Sequence, residues 1–122
     1  MALVKHTASI TTAADGTATV YAGLAITGPV VWIRYVPGTI ATGGDLTITG
    51  NTTGVPILTK ADCGVANVCL YPRVIPNKVT DGSAFTDVAA MIWVFEEKIK
   101  VAVAQGGNAT SGSIEFYVDE VK

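Results

Sequence analysis

At 122 residues, with 49% apolar and 15% charged side chains, the chain has the length of one domain with a real core and carries less charge than an ordinary soluble domain. Its eight lysines and arginines are scattered and the formal net charge is −2, which argues against the basic stripe of a nucleic-acid binder. No apolar run approaches the roughly 18 residues of a membrane-spanning helix. The first residues, MALVKHTASITT, lack the apolar segment of a secretory signal, so use without export by that route is expected.

In chain order, Met1–Lys5 reads as a flexible arm and Val4–Thr12 as a first strand. Asp15-Gly16 is a hairpin signal. Thr17–Ala22 returns, with Ala18 and Val20 on one face and Thr17, Thr19 and Tyr21 on the other. Such weak apolar faces suit an edge or an intersubunit contact. Leu24–Ile26 predicts a short strand between glycines. Val30–Val36 carries Val31, Ile33 and Tyr35 on one face and Val30, Trp32, Arg34 and Val36 on the other. A strand apolar on both faces needs cover on both, and a neighbouring subunit is one source of it.

Pro37-Gly38, Gly43-Gly44-Asp45 and Gly50-Asn51 punctuate the next runs, Leu46–Thr49 and Val55–Leu58. Val65–Tyr71 predicts a strand stopped by Pro72. Asn77–Ala90 is the longest stretch without strand character and reads as a mobile loop, with room for one helical turn at Asp87–Ala90. Met91–Phe95 and Lys98–Ala104 predict two strands joined by a Glu96-Glu97 link. Ser113–Val118 closes the set with Ile114, Phe116 and Val118 inward. Its outward Glu115, Tyr117 and Asp119 would oppose Lys98 and Lys100 if those two strands were neighbours. About eight short antiparallel strands at this spacing predict a single all-β domain, a β-sandwich of jelly-roll type. An immunoglobulin-like sandwich is the alternative, but both tryptophans lie outside the Cys63–Cys69 interval.

The residues offer no catalytic constellation. The single histidine, His6, lies near the chain start without an evident nucleophile and acid beside it. Glu96-Glu97 and Asp119-Glu120 are adjacent pairs, whose members point to opposite strand faces. No phosphate-binding glycine loop, nucleophile elbow or zinc-protease motif occurs. Two cysteines and one histidine are too few for a zinc site. No metal, no cofactor and no enzymatic activity are expected, and Cys63 and Cys69 are expected to be unbridged thiols. Trp32 and Trp93 could stack on sugars, but each sits in an apolar run, Val-Val-Trp-Ile and Met-Ile-Trp-Val, which favours core or interface.

Two segments, IRYVPGTIATGGDLTITGNTTGVPIL and EEKIKVAVAQGGNATSGSIEFYV, resemble small structural proteins of tailed bacteriophages, of the head decoration (cement) type. The resemblance covers about Ile10 to Val118 and rests on the pattern of runs and turns. It implies a jelly-roll-like homotrimer on the capsid surface, with the major capsid protein as partner, no catalysis, a place in the virion and assembly in the host cytoplasm. It assigns no functional residue. The residues singled out for a capsid or subunit interface are Leu3, Val4, Trp32, Arg34, Phe85 and Trp93. Another virion part, tail or fibre-associated, is the competing reading, followed by a carbohydrate-binding module.

Overall fold

The structure is a computed structural model that describes residues 2–121. It is all-β: seven strands, all antiparallel, and no helix among the described residues. They are β1 (Ala2–Thr11), β2 (Ala18–Val36), β3 (Asp45–Gly50), β4 (Pro56–Lys60), β5 (Val68–Leu70), β6 (Ile92–Ala104) and β7 (Ser111–Glu120). The hydrogen-bonded order is β1-β7-β2-β6-β3-β4, with β5 also on β2.

The count falls below eight because segments punctuated like separate strands run together. Thr17–Ala22, Leu24–Ile26 and Val30–Val36 form the nineteen-residue β2. Gly23 and Gly28, which read as turn residues, instead flank two register shifts in its ladder with β6. Such bulges bend a strand without ending it. Gly28 is fixed by close approach, since a Cβ there would overlap the Asp119 carbonyl. Likewise Met91–Phe95 and Lys98–Ala104 join in β6. Glu96, at φ 49°, is a left-handed bulge residue and not a turn.

β2 serves two layers. Its first part pairs with β6, from Ala18↔Val103 to Val30↔Ile92. Its last part pairs with β7, from Val30↔Val118 to Val36↔Ser113, and with β5 at Ile33↔Leu70 and Tyr35↔Val68. One layer is therefore β1-β7-β2-β5 and the other β2-β6-β3-β4. A sheet face reaches full burial only when something covers it, and here the cover is the other half of the same sheet. The inward residues form one cluster: Ile10 of β1, Val30, Ile33 and Tyr35 of β2, Leu46 and Ile48 of β3, Ile99 and Val101 of β6, and Ile114, Phe116 and Val118 of β7.

Two bulges set which residues enter that core. Alternation alone puts Val31 with Ile33 and Tyr35, but the ladder to β7 shifts between Val30 and Trp32. Val30 and Ile33 are then both fully buried while Val31 is only half-buried. The carbonyl of Val31 is held by Arg73 Nη1 at 3.1 Å. In β6 the Glu96 bulge resets the phase, so Val94 and then Glu97, Ile99, Val101 and Val103 are inward. At one end of the sandwich three connections interlock. Thr12 Oγ1 donates to the Gly107 carbonyl at 2.7 Å, Gly106 N–H to Gly16 at 2.9 Å, and Ala41 N–H to Gly106 at 2.9 Å.

Several expectations are corrected. Met1 lies outside the described residues, but Ala2–Lys5 is no flexible arm: it pairs with β7 from the first register position, Ala2↔Glu120. Asn77–Ala90 lies outside every named strand, as expected, but contains no helical turn. It belongs to an irregular hairpin tied by the bridges Val74↔Ala90 and Asn77↔Ala84. β6 and β7 are not neighbours, because β2 lies between them. Lys98 and Lys100 therefore do not face Glu115, Tyr117 and Asp119.

Phe116 fills the centre of this core with no exposure. Phe116→Ala is expected to cost about 3–5 kcal/mol in denaturant unfolding. Thr19→Ala, on an exposed position of β2, is expected to shift stability by about 0.5 kcal/mol or less.

Candidate interaction surface

Outward residues of β1, β7 and β2 share one face because odd-numbered positions of β1 and β7 and positions 32 and 34 of β2 lie opposite the core. The register places Lys5 beside Tyr117 and Tyr117 beside Trp32. The Trp32 and Tyr117 rings stack at 3.9 Å with an interplanar angle of 2°. The Tyr71 ring lies 6.5 Å from that of Trp32 at an angle of 27°. One face of Trp32 is thus taken up by Tyr117, which leaves less of the ring to stack on a sugar. Next to the stack, Glu115 takes an Arg34 Nη1 contact at 3.2 Å and lies 3.6 Å from Lys5 Nζ. Burial pushes the Glu115 carboxyl up. The hydrogen bond from Arg34 and the charges of Lys5 and Arg34 outweigh that and hold it below the usual carboxylate range.

A second apolar group lies on the other layer. Trp93 and Phe95 alternate outward from β6 and are 53% and 67% exposed. Met91 precedes them, also exposed. The projecting hairpin adds a third. Pro72 is buried at its base, while Val74, Ile75, Val79, Phe85 and Val88 are exposed and Val79 is fully so. Its tip is held only by its own bonds, Lys78 N–H to Ser83, Gly82 N–H to Lys78, and the Ser83 amide and hydroxyl on Asp81. These bonds hold the Asp81 carboxyl low.

Of the residues singled out from sequence, Leu3, Trp32 and Arg34 come together on one face. Trp93 lies on the opposite layer and Phe85 on the hairpin, so the six do not form one site. Val4 shares the inward phase of Ala8 and Ile10 and is half-buried, so it lies off the face that Leu3, Trp32 and Arg34 share. Tyr71, Tyr117, Phe95 and Val79 were missed. Phe95 follows Trp93 at the two-residue period and was legible in Met-Ile-Trp-Val-Phe. Tyr71 and Tyr117 became neighbours of Trp32 only through long-range pairing.

A buried carboxylate braces the β3–β4 hairpin. Glu97, which follows the β6 bulge, is 3% exposed. It accepts the Thr52 and Thr53 amides at 2.8 and 3.0 Å and the Thr53 hydroxyl at 2.9 Å. It fills the space a side chain at Gly50 would need, so the β3–β4 hairpin closes around it. Burial drives its carboxyl up, and the Thr53 and Thr52 hydrogen bonds more than reverse this, leaving it below the usual range.

Among the described residues no group of three or more His, Cys, Asp or Glu side chains is placed to hold a metal ion, and no pocket opens. His6 Nε2 lies 3.3 Å from Glu120 Oε1 without a hydrogen bond. Cys63 is buried and Cys69 exposed, both free thiols as expected. A scan against family models and searches of curated proteins and of solved structures found no match.

The Glu97 arrangement carries a pH signature. A carboxyl with a lowered folded-state pKa contributes stability above its unfolded value of about 4.3, and that contribution is lost as pH falls through the folded value. Parent unfolding free energy is expected to decline below about pH 4.5, and Glu97→Gln to flatten that decline. Glu97→Ala, which leaves two amides without an acceptor, is expected to cost on the order of 2 kcal/mol at neutral pH by denaturant titration.

Proposed function

We propose that this protein is a decoration (cement) protein of a tailed-bacteriophage head. It binds the outer surface of the major capsid protein as a homotrimer and stabilises the shell. The observation that carries the reading is the hairpin at Val74–Ala90, whose Val74, Ile75, Val79, Phe85 and Val88 are all exposed, together with the exposed Trp93 and Phe95. Exposed apolar groups concentrated this way mark contact surfaces. The low charge of the chain and the pattern resemblance of its two β segments point the same way.

The mechanism is mass action. A ligand that binds the assembled shell and not its separated subunits shifts the equilibrium toward the shell. A trimer presents three hairpins, and engagement of the first raises the effective concentration of the other two. Phe85 is the anchor in each hairpin, an aromatic among small and polar residues. Catalysis has no part in this function.

Purified particles should carry the protein in hundreds of copies, where a tail component would be present in few; quantitative mass spectrometry separates the two. Phe85→Ala, with Val79→Ser as a second variant, should leave circular dichroism and solution mass unchanged and weaken binding to stripped heads on the order of tenfold. Unchanged binding by both variants would move the contact to the sheet faces.

A further inference from the structure

β1 is the outermost strand of the sheet, with one hydrogen-bonded neighbour. Its ladder with β7 runs from Ala2↔Glu120 to Thr11↔Ser111 without a register shift. In an antiparallel ladder alternate residues direct both N–H and C=O toward the neighbour, and the rest direct theirs away. The Thr12 N–H donates to the Thr110 carbonyl at 2.8 Å, in the same register. Even-numbered residues of β1 thus bond β7, and Leu3, Lys5, Thr7, Ser9 and Thr11 turn their backbone groups to the free edge. Among the described residues no other group bonds them.

Sheets blunt such edges with short strands, prolines, bulges and charges. The other edges here are blunted. β4 has five residues and opens on Pro56, and β5 has three and is followed closely by Pro72. The stretch of β2 that lacks a second neighbour ends in the bulge beyond Ala22. β1 has ten residues, no proline and no bulge. Its one lysine, Lys5, lies back over β7 on Glu115 at 3.6 Å and does not guard the edge.

We propose that β1 pairs antiparallel with β1 of a second copy of this chain, in a two-fold contact through its odd-numbered residues. The strand is self-complementary when centred on Thr7. Leu3 then lies against Thr11 and Lys5 against Ser9, so no like charges oppose each other. On the inner side Val4 meets Ile10, and the apolar face continues from one protomer into the next. An unrelated strand would have to reproduce this alternation, which β1 already has. The contact is isologous and closes at two. It goes beyond the decoration reading and does not rest on it; on a head carrying three-fold groups it would link them in pairs.

The test is solution mass by light scattering on the full chain, with hydrogen exchange. Thr7→Pro removes one free-edge N–H and no bond of the β1–β7 ladder. The parent should contain an even number of chains, Thr7→Pro should halve its mass, and Thr7→Ala should not. The amides of Leu3, Lys5, Thr7 and Ser9 should be protected in the parent. In Thr7→Pro, those of Leu3, Lys5 and Ser9 should exchange as fast as hairpin-tip amides. A monomeric or odd-numbered parent, or free-edge amides that exchange at the tip rate in the parent, overturns the pairing and leaves the edge to another partner. Should Thr7→Pro fail to fold, parent exchange and Ser9→Pro decide the matter. Binding to heads is not a readout here, so this outcome is separate from that of the decoration reading.

Discussion

The fold rests on one constraint: β2 must satisfy β6 along its first half and β7 along its second. No straight strand can do that and also close a core, because its two partners lie in different layers. The bend between Ala22 and Gly28 resolves the conflict. Thr27 secures it from both sides, with its hydroxyl on the Glu96 amide at 3.0 Å and its carbonyl on the Val121 amide at 2.9 Å. Two of the irregular points of the sheet, the β2 bend and the β6 bulge, are therefore a single joint. Strain is not needed to explain Glu96 at positive φ, since the bonds around it determine that conformation.

The joint also explains how the surface is distributed. With the inner face of every long strand committed to one core, the remaining apolar side chains point outward. They do so in groups set by strand register: the Trp32–Tyr117–Tyr71 stack on one layer and Trp93 with Phe95 on the other. The hairpin leaves between them, where β5 ends and β6 begins. Arg73 fastens its base to the Val31 bulge and to the Pro72 carbonyl, at 3.1 and 2.7 Å. A firm base with an otherwise unsupported tip gives a projection of defined direction and adjustable end, a suitable form for meeting a separate surface.

The parts of the fold legible in the sequence were those governed by local alternation. Ile114, Phe116 and Val118 were placed inward by period two, as were Ile99, Val101 and Val103, and the all-β class followed from turn chemistry and β-branched runs. What could not be read was where a glycine bends a strand and where it ends one. Gly23 and Gly28 look like turn residues in sequence, and only the closeness of Asp119 to Gly28 distinguishes the cases. Partner choice was also hidden. Glu115 was set against Lys98 and Lys100 because these strands adjoin in sequence, yet β2 inserts between them and supplies Arg34. The burial of Glu97 was invisible for a related reason: its ligands, Thr52 and Thr53, lie some 45 residues away in sequence.

The register Ala2↔Glu120 joins the two ends of the described chain. During synthesis β1 emerges about a hundred residues before β7, its one hydrogen-bonded neighbour among the described residues, so this pairing waits until β7 has left the ribosome. Contacts of such long sequence separation make for slow folding, because loop-closure entropy comes before any reward. For most of that interval the β1 edge is bare on both sides, with a sequence well suited to pair with a neighbouring nascent chain. Yield in cells should consequently depend on how crowded the ribosomes are on a message, and a permuted gene that joins β7 directly to β1 would bring the two strands out together and remove the delay.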